Sequence, residues 1–171
     1  MEKITFIRKG PEEVMRLQIR EGVPFLTFPS FEKTGLVKHG FSTRLGGVST
    51  GDCASMNFAR GRGDEAANIQ ENYRRMAAAL EADMSRMVLS WQSHTVNIRR
   101  VTEEDAGKGV VRDRDYRDID GLMTDVPGIT LVTSYADCVP LFFIDPVRRV
   151  IASSHSGWRG TVGRMGQRTV E

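Results

Sequence analysis

The stretch that decides the fold is Cys138 to His155, CVPLFFIDPVRRVIASSH. Two apolar, β-branched and aromatic runs flank Asp145-Pro146-Val147-Arg148, where proline at the second turn position favours a tight turn. An antiparallel hairpin closed on that turn sets Ile144 opposite Arg149, Phe142 opposite Ile151, Pro140 opposite Ser153 and Cys138 opposite His155. Opposed side chains share a face, with Cβ atoms roughly 5 Å apart. Three readings of the Cys138–His155 pair follow. A thiolate and an imidazole so placed can share one Zn²⁺. Without metal they can act as nucleophile and base, with Asp137 assisting. Both can also be ordinary core residues. Pro140 donates nothing to the ladder, so a one-residue bulge there would break the pairing.

Outward from the hairpin, the flanking segments read as strands covered on both faces: GLMTD from Gly121 and GITLVTSYADC from Gly128. Met87 to Ser90 and Thr95 to Val101 read as strands on either side of His94, which could supply a third ligand. Three protein ligands leave one tetrahedral position open, the pattern of a catalytic zinc. Asp64 to Leu80 reads as the clearest helix, with Asp64 as N-cap and Ala67, Ile69, Tyr73, Met76, Ala77 and Leu80 marking one face. Short strands are expected in residues 1–30, around ITFIR and VPFLTF, and another from Val37 to Ser42. Arg99 to Asp120 carries six positive and seven negative side chains and reads as a solvated loop. Beyond His155, Ser156 or Thr161 opens a helix still running at Glu171 with no stop signal, so residues 1–171 are expected to be one domain that lacks its last elements.

Composition removes several function classes. The 171 residues are 40% hydrophobic and 27% charged, with 24 Lys+Arg against 22 Asp+Glu. A net charge of +2 with no basic stripe gives no reason to expect nucleic acid. No apolar window is long enough for a membrane span, and the charged N-terminus has no signal core, so a cytoplasmic protein is expected. Two cysteines in that compartment read as thiols or metal ligands. Three histidines are too few for a multicopper centre and enough for one metal ion. Two features favour anions. Arg44 sits beside two glycines in STRLGGVS, and Arg159 sits at a helix start in SGWRGT.

HGFSTRLGGVS, WQSHT, DGLMTD, TSYADCVPLFFIDP and SSHSGWRGTV, taken in order, resemble the motifs of the YfiH/YlmD-like family. This is the group known as laccase-domain, polyphenol oxidase or purine nucleoside phosphorylase proteins. The resemblance implies an α/β (α+β) fold, a four-layer α/β/β/α sandwich with mixed, largely antiparallel sheets. It implies one zinc on His94, Cys138 and His155, and Arg44 in the ligand pocket. It implies phosphorolysis of adenosine, inosine and methylthioadenosine, adenosine deaminase activity, and copper-linked oxidation of phenols. Ser156 stands where alanine is usual, and Met56-Asn57-Phe58 where Leu-Asn-Leu is common.

The leading expectation is therefore a zinc-dependent purine nucleoside enzyme, acting on nucleoside and phosphate as a monomer or weak homo-oligomer. Arg44 and Arg159 are the phosphate or sugar candidates. Asp137 is the candidate proton carrier, although a regular strand would turn it away from Cys138. The alternatives are a copper-linked polyphenol oxidase, a metal-free Cys/His hydrolase and a non-catalytic binding protein with structural zinc.

Overall fold

The structure is a computed structural model that describes residues 10–171. The ITFIR segment lies outside the described residues. The fold is a mixed α/β arrangement with three sheets among the described residues. β1 (Arg16–Arg20), β2 (Val23–Thr27) and β3 (Phe41–Ser42) form an antiparallel ribbon in that order. The expected strand from Val37 thus shrinks to its last two residues. α1 is a single turn, Pro29–Glu32. β4 (Met87–Leu89) pairs in parallel with β7 (Thr130–Val132). The largest sheet has the order β5 (Ile98–Arg100), β6 (Gly121–Thr124), β9 (Val150–Ser156), β8 (Val139–Asp145). Only its β5–β6 pair is parallel.

The β8–β9 hairpin forms as the sequence predicts, with a different register. Asp145 pairs with Val150, Phe142 with Ser153 and Pro140 with His155, without a bulge. The turn accounts for the change. Asp145 Oδ1 accepts the N–H groups of Val147 and Arg148, and Arg149 takes a left-handed conformation (φ 56°), so four residues span the turn rather than the two central ones assumed. Each residue of β8 therefore meets a partner two positions further along β9 than predicted, and an even shift leaves every side chain on its predicted face.

The helix α2 spans Ala66–Leu80, with Glu65 at the N-cap. Asp64 does not cap it. Its carboxylate instead accepts Ser49 Oγ (2.6 Å), Asn57 Nδ2 (2.8 Å) and Asn68 Nδ2 (3.1 Å), tying the glycine-rich loop to the helix start. The Asn57 and Ser49 hydrogen bonds hold the Asp64 pKa down at about 2. Met76 and Ala79 of α2 pack on Val23, Phe25 and Met56, while Ile69, Tyr73 and Ala77 pack on Met87 and Val110. The helix therefore joins the β1–β3 ribbon to the β4–β7 pair. A third cluster, Val88, Val101, Tyr116, Leu122 and Ile129, fills the space behind β6.

The charge-dense stretch is not a solvated loop. Asp105, Lys108, Tyr116 and Asp120 are buried within it. Lys108 Nζ lies 2.8 Å from both Asp105 and Asp115, and Arg99 lies 2.9 Å from Asp105. The near-balance of charges reflects pairing among themselves, which is what allows ions to be buried. At the C-terminal end, Gly157 caps α3 (Trp158–Val162), and Arg164 in a left-handed conformation precedes α4 (Met165–Val170). The single helix expected there is thus two. α4 places Met165, fully buried, and Thr169 against the sheet, where Thr169 bonds Ser154 Oγ at 2.8 Å.

Candidate metal centre

Three segments converge at one end of the large sheet. His155 is the penultimate residue of β9 and is 4% exposed. Cys138 lies immediately before β8, and the observed register sets its position beside Gly157. His94 sits on the turn between β4 and β5, in a left-handed conformation (φ 65°). One donor atom from each of His94, Cys138 and His155 lies within 4.8 Å of the other two. The two imidazoles meet edge to face with ring centroids 5.0 Å apart.

Asp120 holds this arrangement. It is fully buried just ahead of β6. Its carboxylate accepts the backbone N–H groups of Ser93, His94 and Thr95, each at 3.0 Å, and the Thr95 hydroxyl at 2.9 Å. It also bonds His155 Nδ1 at 2.8 Å. One anion therefore shapes the turn that carries His94 and orients the ring of His155, leaving Nε2 of His155 for a ligand. Burial alone would push the Asp120 pKa up, but the Ser93 and Thr95 N–H groups and His155 outweigh it and hold it below the ordinary value.

The residues fit a metal ion. A Cβ added at Gly157 would stand 2.8 Å from Cys138 Sγ and 3.2 Å from His94 Cδ2. Only glycine leaves the sulfur and the imidazole room beside His155. Two imidazoles and a thiolate are a borderline-soft donor set suited to Zn²⁺ or copper, and three donors leave a coordination position free. No other group of three or more potential ligands gathers in this way among the described residues.

A cavity of about 460 Å³ opens beside Cys138. Arg44, Asn57, Ser134 and Asp137 give it polar groups, and Met56, Phe58, Tyr73, Met76 and Leu131 give it apolar walls. Asp137 shares this wall with Cys138 because residues 136–138 form a bend rather than regular strand. The strand-parity expectation for Asp137 therefore does not apply. Arg159 does not line the cavity. It is exposed, with its guanidinium 5.3 Å from the Trp158 ring. The structure thus brings His94, Cys138 and His155 together, sets Arg44 and Asp137 around the neighbouring cavity, and leaves Arg159 outside it.

Sequence reasoning missed Asp120 and Gly157. Asp120 was counted among the charges of a loop, although its place at the head of GLMTD puts it beside the strand of His155. Tyr135 was also missed. Its ring lies 5.7 Å from that of His155, and its hydroxyl bonds Thr133 Oγ1 and the Ser154 carbonyl.

Residues 38–171 match the family described as multi-copper polyphenol oxidoreductase laccase. A protein of Deinococcus radiodurans named purine nucleoside phosphorylase is 39% identical over 150 residues, 88% of this chain and 53% of that one. The purine nucleoside phosphorylase YlmD of Geobacillus stearothermophilus is 38% identical over 128 residues, 72% of this chain and 46% of that one. In structure, the hypothetical protein YfiH of Bacillus licheniformis superposes with a TM-score of 0.82 at 31% identity, over 90% of this chain and 57% of that one. The chain spans about half the length of the curated relatives it matches. No helix among the described residues is long and apolar enough to cross a membrane.

Proposed function

Since this chain belongs to the laccase family that includes YfiH and YlmD, we propose that it is a zinc-dependent purine nucleoside phosphorylase with adenosine deaminase activity, working in the cytoplasm. The observation that carries this reading is the gathering of His94, Cys138 and His155 within 4.8 Å, with Cys138 also lining a nucleoside-sized cavity.

In this reading His94, Cys138 and His155 hold the ion, which when bound supplies Lewis-acid polarisation of an oxygen beside it. The protein supplies position and charge. Asp120 fixes the tautomer and ring plane of His155 through Nδ1. The apolar cavity wall of Met56, Phe58 and Leu131 takes the faces of the purine and excludes water. Arg44 binds phosphate or the ribose hydroxyls at the polar side. In phosphorolysis a phosphate oxygen forms a bond to C1′ as the C1′–N9 bond breaks. Its electron pair leaves with the base, and a proton must reach a purine nitrogen. Asp137 is the carboxyl on the cavity wall placed to carry it. Deamination replaces the C6 amino group with a water oxygen and releases ammonia. Arg159, outside the cavity, has no part in this scheme.

The test is incubation of metal-characterised protein with adenosine, with and without phosphate. Adenine and ribose 1-phosphate formed only with phosphate support phosphorolysis, and inosine in both conditions supports deamination. Full turnover by metal-free protein would overturn the zinc reading in favour of a Cys/His hydrolase. Phenol oxidation that survives removal of copper with zinc retained would overturn the alternative of a copper-linked polyphenol oxidase.

A further inference from the structure

A second concavity, of about 580 Å³, shares no residue with the cavity beside Cys138. Arg60, Arg114 and Arg117 line it around Trp91. The Arg114 guanidinium lies 4.4 Å from the Trp91 ring centroid and that of Arg117 lies 5.3 Å from it. Stacking on an indole fixes the guanidinium plane and leaves its in-plane N–H groups directed outward. Arg60 donates to the Val110 carbonyl at 3.2 Å, and Arg114 donates to the Ser90 carbonyl. Each guanidinium carries five N–H donors, so most remain free.

The charges around this concavity are unbalanced. Two carboxylates, Asp113 and Asp115, line it. Asp115 is already bound to Lys108 at 2.8 Å. Among the described residues, none of Arg60, Arg114 and Arg117 has a carboxylate within salt-bridge distance. Three cations therefore face one uncommitted anion, Asp113. Arg114 is also partly withdrawn from water, and burial together with the charge of Arg60 pulls its pKa below the ordinary arginine value. Arg60 and Arg117 are exposed, whereas Arg114 is half-buried with no carboxylate beside it, and an anion in the concavity would complete it.

We propose that the concavity formed by Arg60, Arg114 and Arg117 over Trp91 binds a phosphoryl group, free or as a phosphate monoester. A tetrahedral dianion accepts several N–H donors at once and suits guanidinium geometry better than a monovalent halide. The partly exposed indole edge of Trp91 offers apolar contact to the organic part of an ester. Trp91 is three residues from His94, and its carbonyl accepts the N–H of Ile119, the neighbour of Asp120. The concavity nevertheless shares no residue with the candidate metal donors, so the proposal does not depend on the assigned activity.

Trp91 is one of two tryptophans, so Trp158→Phe leaves it as the only indole reporter. Titration of that variant with inorganic phosphate or ribose 5-phosphate is expected to give a saturable change in fluorescence, absent with chloride at equal ionic strength. Tighter binding of the ester identifies a monoester site, and tighter binding of inorganic phosphate identifies a free-phosphate site. Adding Arg114→Gln and Arg117→Gln together should weaken binding at least about tenfold, and the exposed Arg117→Gln alone should weaken it in a folded background. Arg168→Gln, on α4, should leave it unchanged. His94→Ala should retain the response, because the site is separate from the metal donors. The proposal is overturned if chloride reproduces the change, if the arginine variants titrate like the parent, if His94→Ala abolishes it, or if there is no saturation by about 10 mM ligand.

Discussion

Asp105 and Asp120 lie fifteen positions apart in one charge-dense stretch, and both are buried, at 2% and 0% exposure. Their surroundings differ. Asp105 faces cations, with Lys108 at 2.8 Å and Arg99 at 2.9 Å, and it closes a capping box with Thr102. Asp120 faces three backbone N–H groups, a hydroxyl and an imidazole. The first arrangement neutralises charge and holds a corner of the fold. The second leaves the carboxylate's charge uncancelled by any fixed cation and directs it at a turn and a ring that present donor atoms. A buried carboxylate surrounded by N–H dipoles and an imidazole marks a site, whereas one surrounded by cations marks a joint.

The largest effect is expected where the Asp120 corner meets its donors. Cys138→Ala or His155→Ala should lower nucleoside turnover about 1,000-fold, on the scale of several kcal/mol of lost Lewis-acid stabilisation, with loss of bound metal by elemental analysis. Turnover within twofold of the parent would detach Asp120 from function altogether. Next comes Asp120→Asn, which keeps the shape and removes the charge. Metal affinity in chelator competition should fall about 10- to 100-fold. The same change at Asp105 should leave metal affinity untouched, and an equal loss there would erase the distinction between the two corners.

The third expectation concerns acid. Burial alone would raise the Asp105 pKa, but Lys108, Arg99 and the Thr102 N–H outweigh it and hold it at about 2, against an ordinary 3.8. The folded state therefore favours the carboxylate. The stability this contributes is complete above about pH 4 and is lost as pH falls through about 2, and with partial screening of the exposed partners it amounts to about 1–2 kcal/mol. Asp105→Asn should accordingly flatten the acid limb of thermal stability between those values. An acid limb identical to that of the parent would show that the ion network at this corner contributes nothing.

What the sequence made legible follows the same division. The hairpin and the faces of its paired residues were readable because strand parity survives an even register shift, and Cys138, in the bend just before β8, still comes close to His155. The register itself was not, since it depends on Asp145 bonding two N–H groups and on a left-handed Arg149. α2 was readable from its periodicity, but its first residue was not, because Asp64 bonds loop side chains instead of capping the helix. Asp105 and Asp120 were both hidden for one reason. Charge density reads as solvent exposure unless the partners are known, and the partners of Asp120 come from Ser93 to Thr95 and from His155, far away in sequence. The candidate metal ligands came together largely through motif resemblance, whereas Arg114 and Arg117 fell within a stretch read as loop and Arg60 far from it in sequence.

The smallest expected effect gives the finest test of whether the Asp120 corner is built for an ion or merely for folding. Gly157 has φ −75°, a conformation open to alanine, so Gly157→Ala carries no backbone strain and on that account alone would stabilise slightly. Its Cβ would nevertheless stand 2.8 Å from Cys138 Sγ and 3.2 Å from His94 Cδ2, so the sulfur must move aside and the imidazole must give by a few tenths of an ångström. If the gap at Gly157 exists to let sulfur and imidazole approach one ion, metal affinity should fall about fivefold, roughly 1 kcal/mol, while the melting temperature of the metal-free protein stays within a few degrees of the parent. A fall in metal-free stability with no change in affinity would mean that glycine serves packing alone. Affinity is the sensitive readout because ligand geometry tolerates displacement less well than a side chain at the end of a sheet does.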